Sequence, residues 1–182
     1  MNRMLRVLIL AVPAALLVTP VTSWAVFDAF LKLDGIEGES LDAKHKGEIE
    51  VLSYHWGETQ GTPGSAARVN MDALAVTKFL DKSSPKLARA CALGRVIPTA
   101  TLVLVHATRT GAQPFMTYQL TNALVTSVQA GGSAQGESGV PIEEIALSFS
   151  KICWIYTVID LDGKAGGEVS GCYDLAGSPR NP

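Results

Sequence analysis

Apolar residues recur at every second position along most of this chain, a period that commits it to β-structure with one buried face per strand. Phe27, Ala29, Leu31 and Leu33 alternate with Asp28 and Lys32, and only Phe30 breaks the polar face. Ile145, Leu147 and Phe149 alternate with Ala146, Ser148 and Ser150, and Ile152, Trp154, Tyr156 and Val158 form another such row. Within residues 48–56 the set Leu52, Tyr54 and Trp56 reads as the core face, which turns Ser53 and His55 to the opposite one. Residues 99–106 are rich in β-branched side chains, and the turn chemistry between Arg109 and Pro114 sends the chain back into a strand over 115–129. A further strand is expected over 68–76, and Asp162-Gly163 marks a hairpin turn.

A single helix interrupts this pattern. Ser83-Ser84-Pro85 starts it, with Ser84 placed to accept from an orphan N–H and Pro85 suited to the first helical position. Leu87, Ala90 and Cys91 make its apolar stripe, and Gly94 supplies a left-handed stop. Short strands with one helix predict a mainly β fold, a sandwich or partly closed barrel of two sheets flanked by that helix. Residues 57–67 and 131–139 read as glycine-rich loops, and 34–47, full of charge and glycine, as an extended surface loop reaching outward.

The N-terminus has the three parts of an export signal: Arg3 and Arg6, an apolar run from Val7 to Val18, and Pro20 followed by Ser23-Trp24-Ala25. Small residues at Ser23 and Ala25 place the cut between Ala25 and Val26, leaving one domain over 26–182. The alternative is a retained anchor, since the uncharged run is about long enough for ~30 Å of hydrocarbon, but Pro13 and Pro20 interrupt it. The first 25 residues hold two of the 15 bases and none of the 17 acids, so the rest has 13 bases for 17 acids and a charge of −4. That balance makes nucleic acid and anionic membrane poor partners. Cys91, Cys153 and Cys172 are too few and too far apart for a disulfide framework. Cys91 and Cys153 read as buried thiols, and one disulfide of undetermined pairing stays open.

Four stretches in order carry a family resemblance: residues 27–57; Phe79-Leu80-Asp81-Lys82-Ser83-Ser84-Pro85-Lys86-Leu87 with Ala90, Cys91 and Gly94; residues 147–152 with Trp154 and Tyr156; and residues 171–175. Together they resemble the haemolysin-coregulated protein (Hcp) family, the tube subunit of type VI secretion. The resemblance implies a β-barrel of two sheets that assembles into homohexameric rings. These stack into a tube that is tipped by a VgrG spike, expelled by a contractile sheath, and carries effectors. It also implies that Glu37, Glu39, Ser40, Asp42, Lys44, His45 and Lys46 lie in a loop that docks on a neighbouring ring or subunit. By the same likeness Ser53 and His55 line the channel.

The export signal departs from that family, whose members assemble in the cytoplasm and leave through the contractile machine. An exported or periplasmic ring-shaped carrier outside any contractile tube is therefore the second reading. Nothing points to catalysis, a metal or a cofactor. His45 and His55 lack zinc spacing, and the acids Glu37, Glu39, Asp42, Glu48 and Glu50 are interleaved with Lys44 and Lys46 as on a solvated surface. Asp160-Leu161-Asp162-Gly163 has Val158 where a calcium loop begins with an acid. A small hydrolase would need a nucleophile beside a base, which the sequence does not offer.

Overall fold

The computed structural model describes residues 27–60, 69–108, 111–133, 139–160, 162–175 and 177. In chain order they form β1 (Asp28–Leu33), β2 (Ile49–Glu50), β3 (Ser53–His55), β4 (Glu58–Thr59), β5 (Asn70–Met71), β6 (Leu74–Phe79), α1 (Ser84–Leu93), β7 (Val96–Thr108), β8 (Gly111–Gly131), β9 (Ile142–Ser148), β10 (Lys151–Ile159) and β11 (Ala165–Asp174). The proposed signal, including Ala25 and Val26, lies outside the described residues.

One long strand organises the architecture. The main sheet runs β2-β1-β7-β8-β9-β6-β3, β10 and β11 branch from β8, and β4 with β5 makes a small second sheet. On its free side β8 pairs first with β10, over Met116 to Thr121, and then with β9, over Leu124 to Gly131. Between the two stands Asn122 with φ +50°, a left-handed conformation that Asn tolerates better than most residues, and its amide donates to Ser150 Oγ at 3.1 Å. A bulge between Val125 and Ser127 bends the strand further. The sheet therefore forks and wraps a core in which Leu31, Ile49, Leu74, Leu87, Ile97, Leu102, Leu120, Ile145, Leu147 and Ile152 are fully buried.

The expected alternation holds in β1, where Ala29, Leu31 and Leu33 are buried. It fails across β2 and β3. Ile49 and Val51 point inward, Leu52 is 49% exposed, and Tyr54 and Trp56 point inward again. Leu52 is thus not on the core face, and the reason is a corner. The Val51 N–H donates to Ala29 O on β1, whereas the next N–H, of Leu52, donates to Thr77 O on β6. The chain changes partner strands between adjacent residues, and the inward parity changes with it.

α1 packs Leu87 and Ala90 inward and stops at Gly94, φ +58°, as expected. Ser84 does not cap it. Ser83 stands at the N-cap without a side-chain cap, and the Ser84 hydroxyl accepts from the Asp81 N–H at 3.1 Å and donates to Glu143 Oε1 at 2.6 Å. Cys153 is not a free thiol: it faces Cys172 across the β10–β11 ladder, and the two form a disulfide.

Candidate functional site

Three surfaces carry the residues singled out by sequence. The first is the outward face of β3, β6, β9 and the second half of β8. Register places Ser53, Thr77, Glu144 and Gln129 in one cross-strand row, and His55, Ala75, Ala146 and Ser127 in the next. Ser53 and His55 are exposed, as their alternation with Tyr54 requires. Thr77, Glu144, Gln129 and Ser127 are polar, and Ala75, which is buried, and Ala146 are small, so the strands present a low surface whose side chains are mostly polar. The row nearer the end of the strands is apolar: Phe79 and Ile142 face one another and are 42% and 46% exposed.

The second surface is the polar end formed by residues 34–48 and the turn into α1. The expectation of an extended arm is corrected here, because the connection folds back on its own barrel. Its N–H groups find partners within the segment: Gly38 donates to Gly47 O at 2.8 Å, Ser40 to Glu48 O at 3.0 Å and Gly47 to Ser40 O at 2.8 Å. Ile36, Ser40 and His45 are buried. The His45 ring stacks on Phe30, centroids 4.3 Å apart, and its Nδ1 lies 2.8 Å from Glu48 Oε2. That stack explains why Phe30 interrupts the polar face of β1. At Gly38 any Cβ would collide with the Glu48 carbonyl and come within 2.6 Å of Ile49 Cα, so only glycine permits this approach. Asp42 accepts from the Lys44 and His45 N–H groups, and its carboxyl is held below the ordinary range chiefly by the Lys44 bond. Glu37, Glu39, Leu41, Lys44 and Lys46 stay exposed on the rim.

This end rests on a buried cation that sequence reasoning missed. Lys78 is fully buried, and its ammonium donates to Glu143 Oε1 at 2.6 Å, Phe79 O at 2.7 Å and Asp81 Oδ1 at 2.8 Å, with Ser84 Oγ at 3.3 Å. Lys78 and Glu143 are directly opposed on β6 and β9, on the core side. Burial alone would raise the Asp81 carboxyl. The bonds from Lys78 and Ser83 outweigh it and hold the group below its usual value. The Lys82 N–H donates to Glu39 Oε1 at 3.0 Å and so ties the 34–48 connection to this knot. A lysine beside a serine invites a catalytic reading, but an ammonium committed to two carboxylates has no free lone pair with which to activate Ser84. The only signal in sequence was Lys78 standing on the inward parity of β6, with Leu74 and Val76.

The third surface is the β10–β11 hairpin. Its inward row leaves the core as it runs: Ile152 is fully buried, Trp154 packs at 5.5 Å between centroids against Trp56, and Tyr156 and Val158 are 49% and 45% exposed. Val169, opposite Tyr156, is 66% exposed. Behind this row, Tyr54 and Tyr118 share a hydroxyl contact at 3.3 Å, and burial followed by that contact raises the Tyr54 phenol. His106 stacks on Phe115 and Cys91 sits half-buried on α1. Among the described residues no three His, Cys, Asp or Glu side chains gather as metal ligands, and no helix is long and apolar enough to cross a membrane.

The family described as type VI secretion system effector, Hcp, matches residues 30–156. The protein hcp1 of Pseudomonas aeruginosa is 37% identical over 155 residues, which span 81% of this chain and 94% of that protein. The chain belongs to the Hcp family. Hcp1 from Salmonella typhimurium superposes with a TM-score of 0.69 at 36% identity, over 83% of this chain and 96% of that one. A type VI secretion system effector from Yersinia pestis gives 0.66 at 34% identity, over 81% and 99%. As an Hcp protein, this chain is a tube subunit of type VI secretion.

Proposed function

We propose that this Hcp protein is a non-enzymatic structural subunit whose copies close into homohexameric rings that stack head to tail and carry effectors in or on the tube. The observation that carries the ring is the pair of unlike apolar patches on the two branches of the fork: Tyr156, Val158 and Val169 on the hairpin, and Phe79 with Ile142 on the outward face of β6 and β9. A head-to-tail ring needs two different surfaces per subunit, whereas a two-fold dimer needs one that pairs with itself. Ser53 and His55, with Thr77, Glu144, Gln129 and Ser127 beside them, are assigned to the channel wall, where small polar groups contact a passenger without gripping it. The rim of the 34–48 connection, with Glu37, Glu39, Lys44 and Lys46 exposed and Asp42 half-buried, is assigned to contacts with the next ring or subunit. Ser40 and His45 hold that rim in shape. Spike, sheath and effector proteins are the further partners of this reading.

The tract before Val26 favours a second reading, an exported periplasmic or secreted ring carrier whose signal is cut after Ala25. Intact and native mass on protein recovered from each cell fraction separates the two. Full-length chain in the cytoplasm, co-purifying with sheath, supports the tube. Chain starting at Val26 in the periplasm supports the carrier. Monomer in every fraction contradicts both.

A further inference from the structure

Charge is unevenly spread along this chain. Between Asp81 and Glu137 there is no acid, and the bases there are Lys82, Lys86, Arg89, Arg95 and Arg109. The rest of residues 26–182 holds the other 8 of 13 bases and all 17 acids. Four of the five bases stand on or beside α1. Leu87 and Ala90 fix the inward side of the helix, and Lys86, Arg89 and Leu93 follow one another at steps of three and four along its exposed side. Lys82 and Arg95 are exposed just before and just after it. Leu93 and Val96, on either side of Gly94 and Arg95, are 66% and 54% exposed. The row does not serve the helix itself: Lys86 lies in the first turn, where the helix dipole favours acids, and that turn has none. Nor is the row neutralised. Lys82 Nζ lies 3.6 Å from Glu37 Oε2 in an exposed pair that water screens, and Lys86, Arg89 and Arg95 have no ion pair among the described residues.

We propose that this row is a docking face for a partner protein: a short acidic helix lays its carboxylates along Lys86 and Arg89 and an apolar side chain on Leu93. Charge complementarity selects the sign of the partner. The repeat selects its form, because side chains one turn apart on α1 recur about every 5.4 Å, a spacing that a second helix matches, whereas the same face of a strand recurs about every 6.6–6.8 Å. Length selects protein over nucleic acid. From Lys86 to Leu93 the row covers only about 10 Å of helix axis, so a longer polyanion would run onto a domain where acids outnumber bases. Leu93 supplies the apolar contact around which such charges form a rim. The inference does not rest on the ring reading, since the row shares no residue with the two apolar patches assigned to subunit contacts.

The test titrates the full chain into three labelled probes and reads fluorescence anisotropy. The first probe is a synthetic helical peptide with Glu at steps of three and four along one side and one Leu at the end of that row. The second has Gln in place of every Glu, and the third is a single-stranded oligodeoxynucleotide of about the same charge as the first. The acidic peptide should bind at least about tenfold more tightly than the Gln peptide at low salt, with the gap closing as salt rises. Lys86→Glu with Arg89→Glu should weaken the acidic peptide by at least about tenfold, and Leu93→Ser should weaken both peptides. Lys32→Glu with Lys164→Glu changes the net charge equally, away from the row, and should leave binding within about twofold of wild type. Far-UV circular dichroism checks folding of each variant. If the charge reversal does not fold, Lys86→Gln with Arg89→Gln takes its place. Equal binding of the two peptides, tighter binding of the oligonucleotide than of the acidic peptide, or equal losses in the two charge reversals would each overturn the proposal. Native mass on the same samples reports the ring separately, so a monomer that still selects the acidic peptide contradicts the ring reading and leaves the docking face standing.

Discussion

The polar end and the β10–β11 hairpin invert what their compositions announce. Residues 34–48 are charged and glycine-rich, yet the connection closes on itself and buries Ile36, Ser40 and His45. The hairpin alternates like a core strand pair, yet leaves Tyr156, Val158 and Val169 in solvent. The difference lies in where the backbone and side-chain partners are. At the polar end the Gly38, Ser40 and Gly47 N–H groups find acceptors within the connection itself, and Lys78 anchors the structure from inside. The hairpin runs past the last core residue, so Tyr156, Val158 and Val169 meet no core among the described residues. Burial is set by reach to a partner, and hydrophobicity decides only what happens once that partner is there.

The largest effect should come from the anchor. Lys78→Met leaves Glu143 and Asp81 without their cation, and denaturant unfolding should show a loss of about 3–5 kcal/mol. Lys78→Met combined with Glu143→Leu should recover part of it, since two apolar groups in place of a buried pair need no desolvation. A single variant costing under about 1 kcal/mol would make the polar end no better held than the hairpin. Next comes Gly38→Ala, which forces the backbone of 38 away from Glu48. About 1–3 kcal/mol is expected, as for other overpacked sites, together with faster exchange of the Ser40 and Gly47 amides.

Acid gives a smaller effect with a definite sign. The Asp81 carboxyl is depressed from the ordinary 3.8, so its contribution is complete above that value and disappears as the pH falls through the lower, folded one. Stability measured from pH 5 downward should therefore fall more gently for Asp81→Asn than for wild type. A parallel pair of curves would show that the Lys78 contact does not reach Asp81 in solution. The smallest stability change belongs to the hairpin: Tyr156→Ser with Val169→Ser should move the unfolding free energy by only about 0.5 kcal/mol per site, as exposed positions do. The same variant should lose assembly by native mass, and a folding defect instead would mean that the patch belongs to the core.

The sequence showed most of the strands and the helix because each needs only local information: the period-two rows of β1, β9 and β10, Pro85 at the start of α1, Gly94 at its end. Leu52 was misplaced because a corner between two sheets depends on which strand lies opposite, which no local pattern records. The fold of 34–48 depended on Gly38 meeting Glu48 and on Phe30 meeting His45, contacts that composition conceals. Lys78 and Glu143 are 65 residues apart and meet only through the β6–β9 register. Of the candidate surfaces, Ser53 and His55 were legible as the face opposite Tyr54, whereas Thr77, Glu144, Gln129 and Ser127 joined them only through pairing. The Cys153–Cys172 bond was likewise a matter of register.

In the proposed ring, neighbouring copies cover the hairpin's exposed row and the Phe79–Ile142 pair. Native mass spectrometry of the oxidised chain, followed by electron microscopy of the same sample, tests it most directly. A species of six subunits that appears as closed rings is the predicted result. A monomer persisting at the highest soluble concentration, with those side chains still open to solvent, would contradict it.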